Sequence, residues 1–229
     1  MKLGIMQPYF FPYIGYWQLI NSVDEYLIME DLNYIKQGFI NRNYILIRGN
    51  PHRFTLELVG ASQNKLINEI HVGNNRGKLL TTFEVHYKNA PHFNDAFPVI
   101  KSILEYPEDN LAGFITNSIR MVSEYLGLTT KILTSADITR NRELRSGDMV
   151  LDLCKQLGAK QYINSIGGIK LYSKEVFKEQ NVDLYFLKSD PIEYNQLGST
   201  FVPNLSIVDV MMFNSKDEIS ELLEKYELI

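Results

Sequence analysis

The sequence is nearly without cysteine. Cys154 stands alone among 229 residues, so no intramolecular disulfide can form and the fold must rest on its core. Such usage points to a reducing compartment. Long apolar runs are missing too. No stretch approaches the roughly 18 consecutive apolar residues of a membrane span, and Met1-Lys2-Leu3-Gly4-Ile5-Met6-Gln7 turns polar too soon for a signal peptide. A cytoplasmic protein without membrane insertion is expected. Nor is there an excess of positive charge: 23 basic residues against 27 acidic give a net charge of −4. That argues against DNA as a partner and leaves room only for a local basic pocket.

Several catalytic signatures are also absent. There is no HExxH zinc motif, no GxSxG nucleophile elbow, no GxGxxG fingerprint and no Walker lysine pattern. His52, His71, His86 and His92 are scattered, and Cys154 has no Cys or His close by in sequence, so no metal site is expected. Among the histidines, His92 in Ala90-Pro91-His92-Phe93 is the one to test as an acid or base; capping or packing is its other reading.

What is present suffices for a sizeable core. The apolar fraction is 45% and the charged fraction 22%, ordinary for a globular chain. Leu3–Met6 reads as a buried strand stopped by Pro8, Gly15–Ser22 as a helix, and Glu25–Met29 as a second strand, the opening of a βαβ unit. Tyr44–Arg48 and Arg53–Leu58 form a hairpin signal around Gly49-Asn50-Pro51, with a loop longer than two residues, and Leu66–Val72 adds a strand. Helices follow over Arg76–Lys88, Asn94–Tyr106 and Leu111–Leu126. The rest alternates strand Lys131–Thr134, helix Arg145–Leu157, strand Gln161–Asn164, helix from Gly168 to about Glu179, and strand Val182–Leu187. Helices over Ser206–Phe213 and Lys216–Tyr226 complete the chain. The pattern predicts a single α/β domain over 1–229. It has a mostly parallel, Rossmann-like sheet with helices on both faces, a small antiparallel β insertion at about 36–75 and a helical segment at about 76–127.

In such sheets ligands bind outside the carboxyl ends of the strands, and three polar clusters fall there. The first is the loop Gln7 to Tyr16, which Pro8 and Pro12 stiffen. Gln7 offers amide contacts, and Tyr9, Tyr13 and Tyr16 offer hydroxyls or stacking faces. Gly15 lets the following helix start close to a neighbouring strand, with its N-terminus suited to an anion. The second holds Asp31, Asn33, Lys36, Asn41, Arg42 and Asn43, where the two cations can grip phosphate or carboxylate or simply sit in a solvated loop. The third is Asn164-Ser165-Ile166-Gly167-Gly168 with Tyr172 following, either a place of close ligand approach or a tight connection. Asp209 lies on a later helix and reads equally as an ordinary helix carboxylate.

Taken together these motifs resemble the WbqC-like proteins of bacteria. The pattern Gln7-Pro8-Tyr9-Phe10-Phe11-Pro12-Tyr13-Ile14-Gly15-Tyr16 opens it. Asp31 and Asn41-Arg42-Asn43 follow, then Leu157-Gly158-Ala159-Lys160-Gln161-Tyr162, Gly167-Gly168 and Ser206-Ile207-Val208-Asp209, spanning nearly the whole chain. Departures are His92 where the family carries an aromatic, Glu30 in place of a second Asp, and Asn164-Ser165-Ile166 in place of a Ser-Gly turn. The resemblance implies a role in bacterial surface polysaccharide, such as O-antigen assembly, and an acyl or aminoacyl transfer to an amino-sugar nucleotide. Its partner is then a sugar nucleotide or nucleotide, and homo-oligomerisation stays open. Asp31, Lys36, Arg42 and Asp209 become the catalytic candidates. Gln7, Pro8, Tyr9, Gly15, Tyr16, Asn41, Asn43, Ser165, Gly167, Gly168 and Tyr172 become the binding candidates. A more distant similarity, to HIGH-type nucleotidyltransferases and ligases, implies ATP with Mg as cofactor, although Tyr9 or Phe10 and Tyr16 occupy the places of the histidine pair. The rival readings are a non-catalytic module that binds a sugar nucleotide or a partner enzyme, and a scaffold of a glycan operon.

Overall fold

A computed structural model describes residues 1–139, 141–198 and 200–229. The elements in chain order begin with β1 (Lys2–Met6), α1 (Ile14–Asn21), β2 (Glu25–Ile28), β3 (Arg42–Ile47), β4 (Asn50–Thr55), β5 (Leu58–Val59) and β6 (His71–Val72). Helices α2 (Arg76–Tyr87), α3 (Phe93–Leu104) and α4 (Leu111–Tyr125) follow, then β7 (Lys131–Thr134), α5 (Ser146–Leu157), β8 (Gln161–Ser165), α6 (Lys174–Glu179) and β9 (Asp183–Ser189). The chain closes with α7 (Ile207–Phe213), α8 (Lys216–Leu223) and β10 (Tyr226–Leu228).

The central sheet has six strands in the order β10-β9-β8-β1-β2-β7. Only β10 runs antiparallel, against β9. Side chains alternate between its two faces as a strand's period of two requires. Leu3, Ile5, Leu27, Tyr162, Leu184 and Phe186 pack on one face with α5 and α6. Tyr26, Ile28, Ile163 and Leu187 pack on the other, with α1, α4, α7 and α8. Helices therefore cover both faces of a mostly parallel sheet, the architecture anticipated from the alternation of strands and helices. Among the described residues no helix is long and apolar enough to cross a membrane.

Strand order fixes where a ligand would sit. From β1 the chain steps outward to β2 and β7, then returns to the other side of β1 to lay down β8 and β9. The point of reversal lies between β1 and β8, and the loops leaving their carboxyl ends splay apart to leave a crevice.

Four local expectations are corrected. The hairpin loop is only two residues, Arg48-Gly49, because Asn50 and Pro51 already belong to β4. Both loop residues have positive φ, 50° and 75°, the turn whose twist matches that of paired strands. The segment Leu66–Val72 is not one strand: a 3-10 turn at Ile67–Glu69 precedes a two-residue strand. The last helix stops at Leu223 instead of running to Tyr226. The cause is the buried Gln18 of α1, whose Nε2 donates to Leu222 O and Lys225 O at 2.9 Å each. With those carbonyls occupied, the chain turns and Tyr226–Leu228 joins the sheet edge. The helix expected from Gly168 begins only at Lys174, after a 3-10 turn at Ile166–Gly168.

Candidate functional site

The loop from Gln7 to Tyr13 is held open by hydrogen bonds rather than by its own geometry. Phe11 takes φ 45°, a strained value for a bulky side chain, costing on the order of 1–3 kcal/mol. Its carbonyl accepts from Asn43 Nδ2 and from Ser206 Oγ, both at 2.8 Å. Pro12 O accepts from Ile207 N at 2.8 Å and from Trp17 Nε1 at 3.2 Å, and Phe10 N donates to Ile40 O. Each such bond contributes about 1 kcal/mol net, enough together to offset the strain. Three sequence motifs therefore meet at one fastening: the Gln-Pro loop, the Asn-Arg-Asn triplet and the serine that caps α7.

This arrangement settles where several predicted residues act. Asn41 and Asn43 face inward: Tyr34 Oη donates to Asn41 Oδ1, Asn41 Nδ2 donates to Leu56 O, and Asn43 Oδ1 accepts from Tyr44 N. Pro8 and Tyr16 are buried, and Tyr16 Oη donates to Gln7 O at 3.1 Å. Gly15 lies behind the loop. A Cβ there would come within 2.7 Å of the Tyr13 ring and 2.9 Å of Ser189 Oγ, so glycine is what lets α1 start against β9.

The crevice itself has a volume of about 400 Å³, within the size range of small-molecule sites. Gln7, Tyr9 and Tyr13 wall it from the β1 side, Asn164, Ser165, Gly167 and Gly168 from the β8 side. Phe39 closes one flank with its ring 5.9 Å from Tyr9 and 6.1 Å from Tyr13, and Tyr172 closes the other. The structure thus brings together the first and third predicted clusters: Gln7, Tyr9, Ser165, Gly167, Gly168 and Tyr172 share one space. Two polar atoms there lack partners among the described residues. Gln7 Oε1 is buried and accepts nothing. Asn164 is 5% exposed; its Oδ1 accepts from Ser165 N at 2.8 Å, while its Nδ2 has no hydrogen bond. Gly168 is required against it, because a Cβ would lie 2.4 Å from that Nδ2.

The hydroxyls in the wall are donors, not bases. Burial, with Tyr13 nearby, pushes the Tyr9 hydroxyl up to about 12, and burial raises Tyr13 and Tyr172 as well. All three stay protonated near neutrality. Among the described residues, those that line the crevice supply no carboxylate, imidazole, amine or guanidinium.

Charge lies in an adjoining recess of about 260 Å³, lined by Asp31, Asn33, Arg142, Arg145 and Ser146, which shares Leu32 and Met149 with the crevice as a common rim. Of the four catalytic candidates only Asp31 is there. Lys36 is exposed, and Arg42 turns its Nε to Gly38 O at 2.9 Å; neither lines the crevice or the recess. Asp209 is fully buried elsewhere. Its Oδ1 accepts from Tyr87 Oη at 2.7 Å, its Oδ2 from Tyr194 Oη and Gln196 Nε2 at 2.8 Å each. It ties α7 to α2 and to the segment 190–205. His92 occupies the N-cap position of α3 without a side-chain cap hydrogen bond, its Nδ1 3.9 Å from Asp95 Oδ2, and it does not line the crevice. Reading the sequence missed Phe39, Arg142 and Arg145. Two arginines three apart just before a helix start were the available signal for the last pair.

Among the described residues no three His, Cys, Asp or Glu side chains converge so as to hold a metal ion. The histidine pair of the HIGH-type ATP site has no counterpart either: Tyr9 stands in the wall and Tyr16 is engaged with Gln7 O. The residues present do not fit that mode of ATP binding.

Comparison with known proteins agrees with the motif order. The chain is 28% identical, over 97% of its own length and 97% of the other's, to the "Uncharacterized protein Rv1507c" of Mycobacterium tuberculosis (strain ATCC 25618 / H37Rv). No solved structure matches. The model of the WbqC-like protein family matches residues 7–221, from the Gln-Pro loop through α7 and into α8, and the chain belongs to that family.

Proposed function

We propose that the protein is an enzyme of bacterial surface polysaccharide assembly. In this reading it holds an amino-sugar nucleotide in the crevice between β1 and β8 and joins an acyl or aminoacyl group to the sugar's amine. The observation that carries the binding half is the pair of unpartnered amide atoms, Gln7 Oε1 and Asn164 Nδ2, on two residues that line one aromatic-walled space. A buried acceptor left empty costs about 1–3 kcal/mol, so a ligand that offers hydroxyls and ring carbonyls is the natural complement. For the chemical half, Asp31 lines the recess that adjoins the crevice, next in sequence to Leu32 of their shared rim. The amine would attack an activated acyl carbonyl. The amide bond forms as the bond to the leaving group breaks, and Asp31 takes the proton the amine releases.

Calorimetric titration with a panel of amino-sugar nucleotides is expected to give saturable binding that Gln7→Leu weakens about tenfold, the loss of one hydrogen bond. Folded protein that binds none of the panel would end this reading. A second reading, a non-catalytic sugar-nucleotide module, draws on the absence of any acid, base or nucleophile other than hydroxyls in the crevice wall. Turnover separates the two: amide product formed from an acyl donor and a bound amino-sugar nucleotide, and lost in Asp31→Asn, belongs to the enzyme alone.

A further inference from the structure

A sugar nucleotide brings a diphosphate, and the crevice wall carries no positive charge to meet it. Three helix N-termini stand at this edge of the sheet, those of α1, α5 and α6, and α6 is a six-residue helix already capped by the Ser173 hydroxyl. That of α1 opens toward a recess beyond β9 whose charged groups are Lys188, Asp190 and Glu193. Lys188 is already paired with Glu227 at 2.5 Å, so the balance there is negative. The Tyr13 ring, which lines both that recess and the crevice, stands between them.

The first turn of α5 has the opposite character. Arg145 occupies its N-cap position without a side-chain cap, and the amides of Ser146, Gly147 and Asp148 have no backbone acceptor among the described residues. Arg142 and Arg145 line the recess beside it, against the single carboxylate of Asp31. Arg145 Nη1 is anchored on Leu144 O at 2.9 Å and on Arg142 O, and Arg142 makes no ion pair with a described residue. Asp148, the acid of this first turn, lines a different groove. The next residues of the helix, Met149 and Val150, line the crevice itself. Asn164, only 5% exposed, lines the same crevice with its Nδ2 free of any hydrogen bond to a described residue.

We propose that Arg142, Arg145 and the uncapped first turn of α5 form a diphosphate subsite, so that the ligand of the crevice is a nucleoside diphosphate with or without its sugar. This rests on the sugar-nucleotide reading above. The aromatic crevice takes the planar or ring portion, and the phosphates cross the Leu32–Met149 junction into the recess. There guanidinium groups and helix amides meet them with charge-assisted hydrogen bonds. The subsite sits on the helix that follows β7, not on the one that follows β1.

The test uses the full chain with UDP, ADP, GDP, CDP and dTDP, then the monophosphate and free nucleoside of whichever binds most tightly. Affinities come from calorimetry, and from ligand-observed NMR for the nucleoside. In the wild type, affinity should rise from nucleoside to monophosphate to diphosphate and fall with added salt. Arg142→Gln/Arg145→Gln, both at exposed positions, should weaken the diphosphate by about 10- to 100-fold and leave the nucleoside unchanged, with circular dichroism confirming the fold. Equal diphosphate binding by wild type and double variant overturns the subsite and leaves the crevice reading standing. Equal losses for nucleoside and diphosphate also overturn it, since the arginines would then not act on phosphate. A wild type that binds no nucleoside, nucleotide or sugar nucleotide at all removes the underlying reading as well.

Discussion

Asp209 carries a carboxylate into the core, where Tyr87, Tyr194 and Gln196 supply its donors. Burial raises its pKa, and the three hydrogen bonds only partly oppose that. The folded protein thus holds this proton to a higher pH than the unfolded chain does. Its contribution to stability is fully present below the unfolded carboxyl range and is lost as pH rises through the folded pKa. Asp209→Asn presents an amide donor to groups that are themselves donors. It should cost about 1–3 kcal/mol, and the gap to wild type should narrow as pH is raised from the acid side. Urea midpoints for both proteins, measured from the acid side through neutrality, test this; a gap that widens with pH would mean the carboxyl is depressed instead. Gly168 makes a prediction of another kind. Ala at this position pushes a methyl against Asn164 Nδ2, so overpacking of about 1–3 kcal/mol should come with a loss of ligand affinity. Thermal melts and titrations on the same sample would register both.

At the scale of elements, two asparagines show how much a local pattern can say. Asn110 caps α4, accepting from Ala112 N at 3.0 Å and Gly113 N at 3.2 Å, while its Nδ2 donates to Asn68 O at 2.7 Å. Asn110→Ala should cost about 1–2 kcal/mol, read from the shift in denaturation midpoint. The start, stop and apolar spacing of α4 were legible because a cap and a 3.6-residue period are local signals. The same holds for the parallel strands, short apolar runs each closed by a turn residue. Asn43 is the opposite case. Its type and place suggested a ligand contact, yet its amide holds Phe11 O, 32 residues away in sequence. Removing it as Asn43→Ala should cost about 1–3 kcal/mol and weaken ligand binding indirectly, because the Gln7–Tyr13 loop loses a fastening. The crevice was legible as two loops, since the carboxyl ends of β1 and β8 can be named from strand order. That Arg142 and Arg145, rather than Lys36 and Arg42, line the adjoining recess was not, because which cation reaches a cavity depends on packing between elements far apart in the chain. The edge strand β10 was hidden for the same reason: what ends α8 is the side chain of Gln18, two hundred residues earlier.

For the molecule as a whole, the question is whether the segment between β2 and β7 folds with the sheet or by itself. The apolar cluster on the α1 face gives a physical answer. It joins Phe54, Ile70, Phe83 and Phe114 of that segment to Phe10, Trp17, Ile163 and Leu187 of the sheet framework without a break. The ring of Phe10 lies 6.0 Å from Phe54 and 5.7 Å from Phe114, and Phe11 lies 6.1 Å from Phe83. Separating the two parts would expose that interface and release the Phe11 and Pro12 carbonyls together, so neither part has a low-energy way to open alone. We therefore expect the chain to unfold as one domain in a single transition. The sequence supplies its own reporter, because Trp17 is the one tryptophan and sits in α1 against the sheet, whereas much of the helical signal comes from α2, α3 and α4. Tryptophan fluorescence and far-ultraviolet dichroism should therefore give the same urea midpoint within error. A helical midpoint that falls clearly before the fluorescence midpoint would mean that the segment 36–127 is a separate folding unit. The crevice would then be bounded on its Phe39 side by a part able to detach from the sheet, and ligand should raise the lower midpoint selectively. With a single transition, ligand should move both signals together.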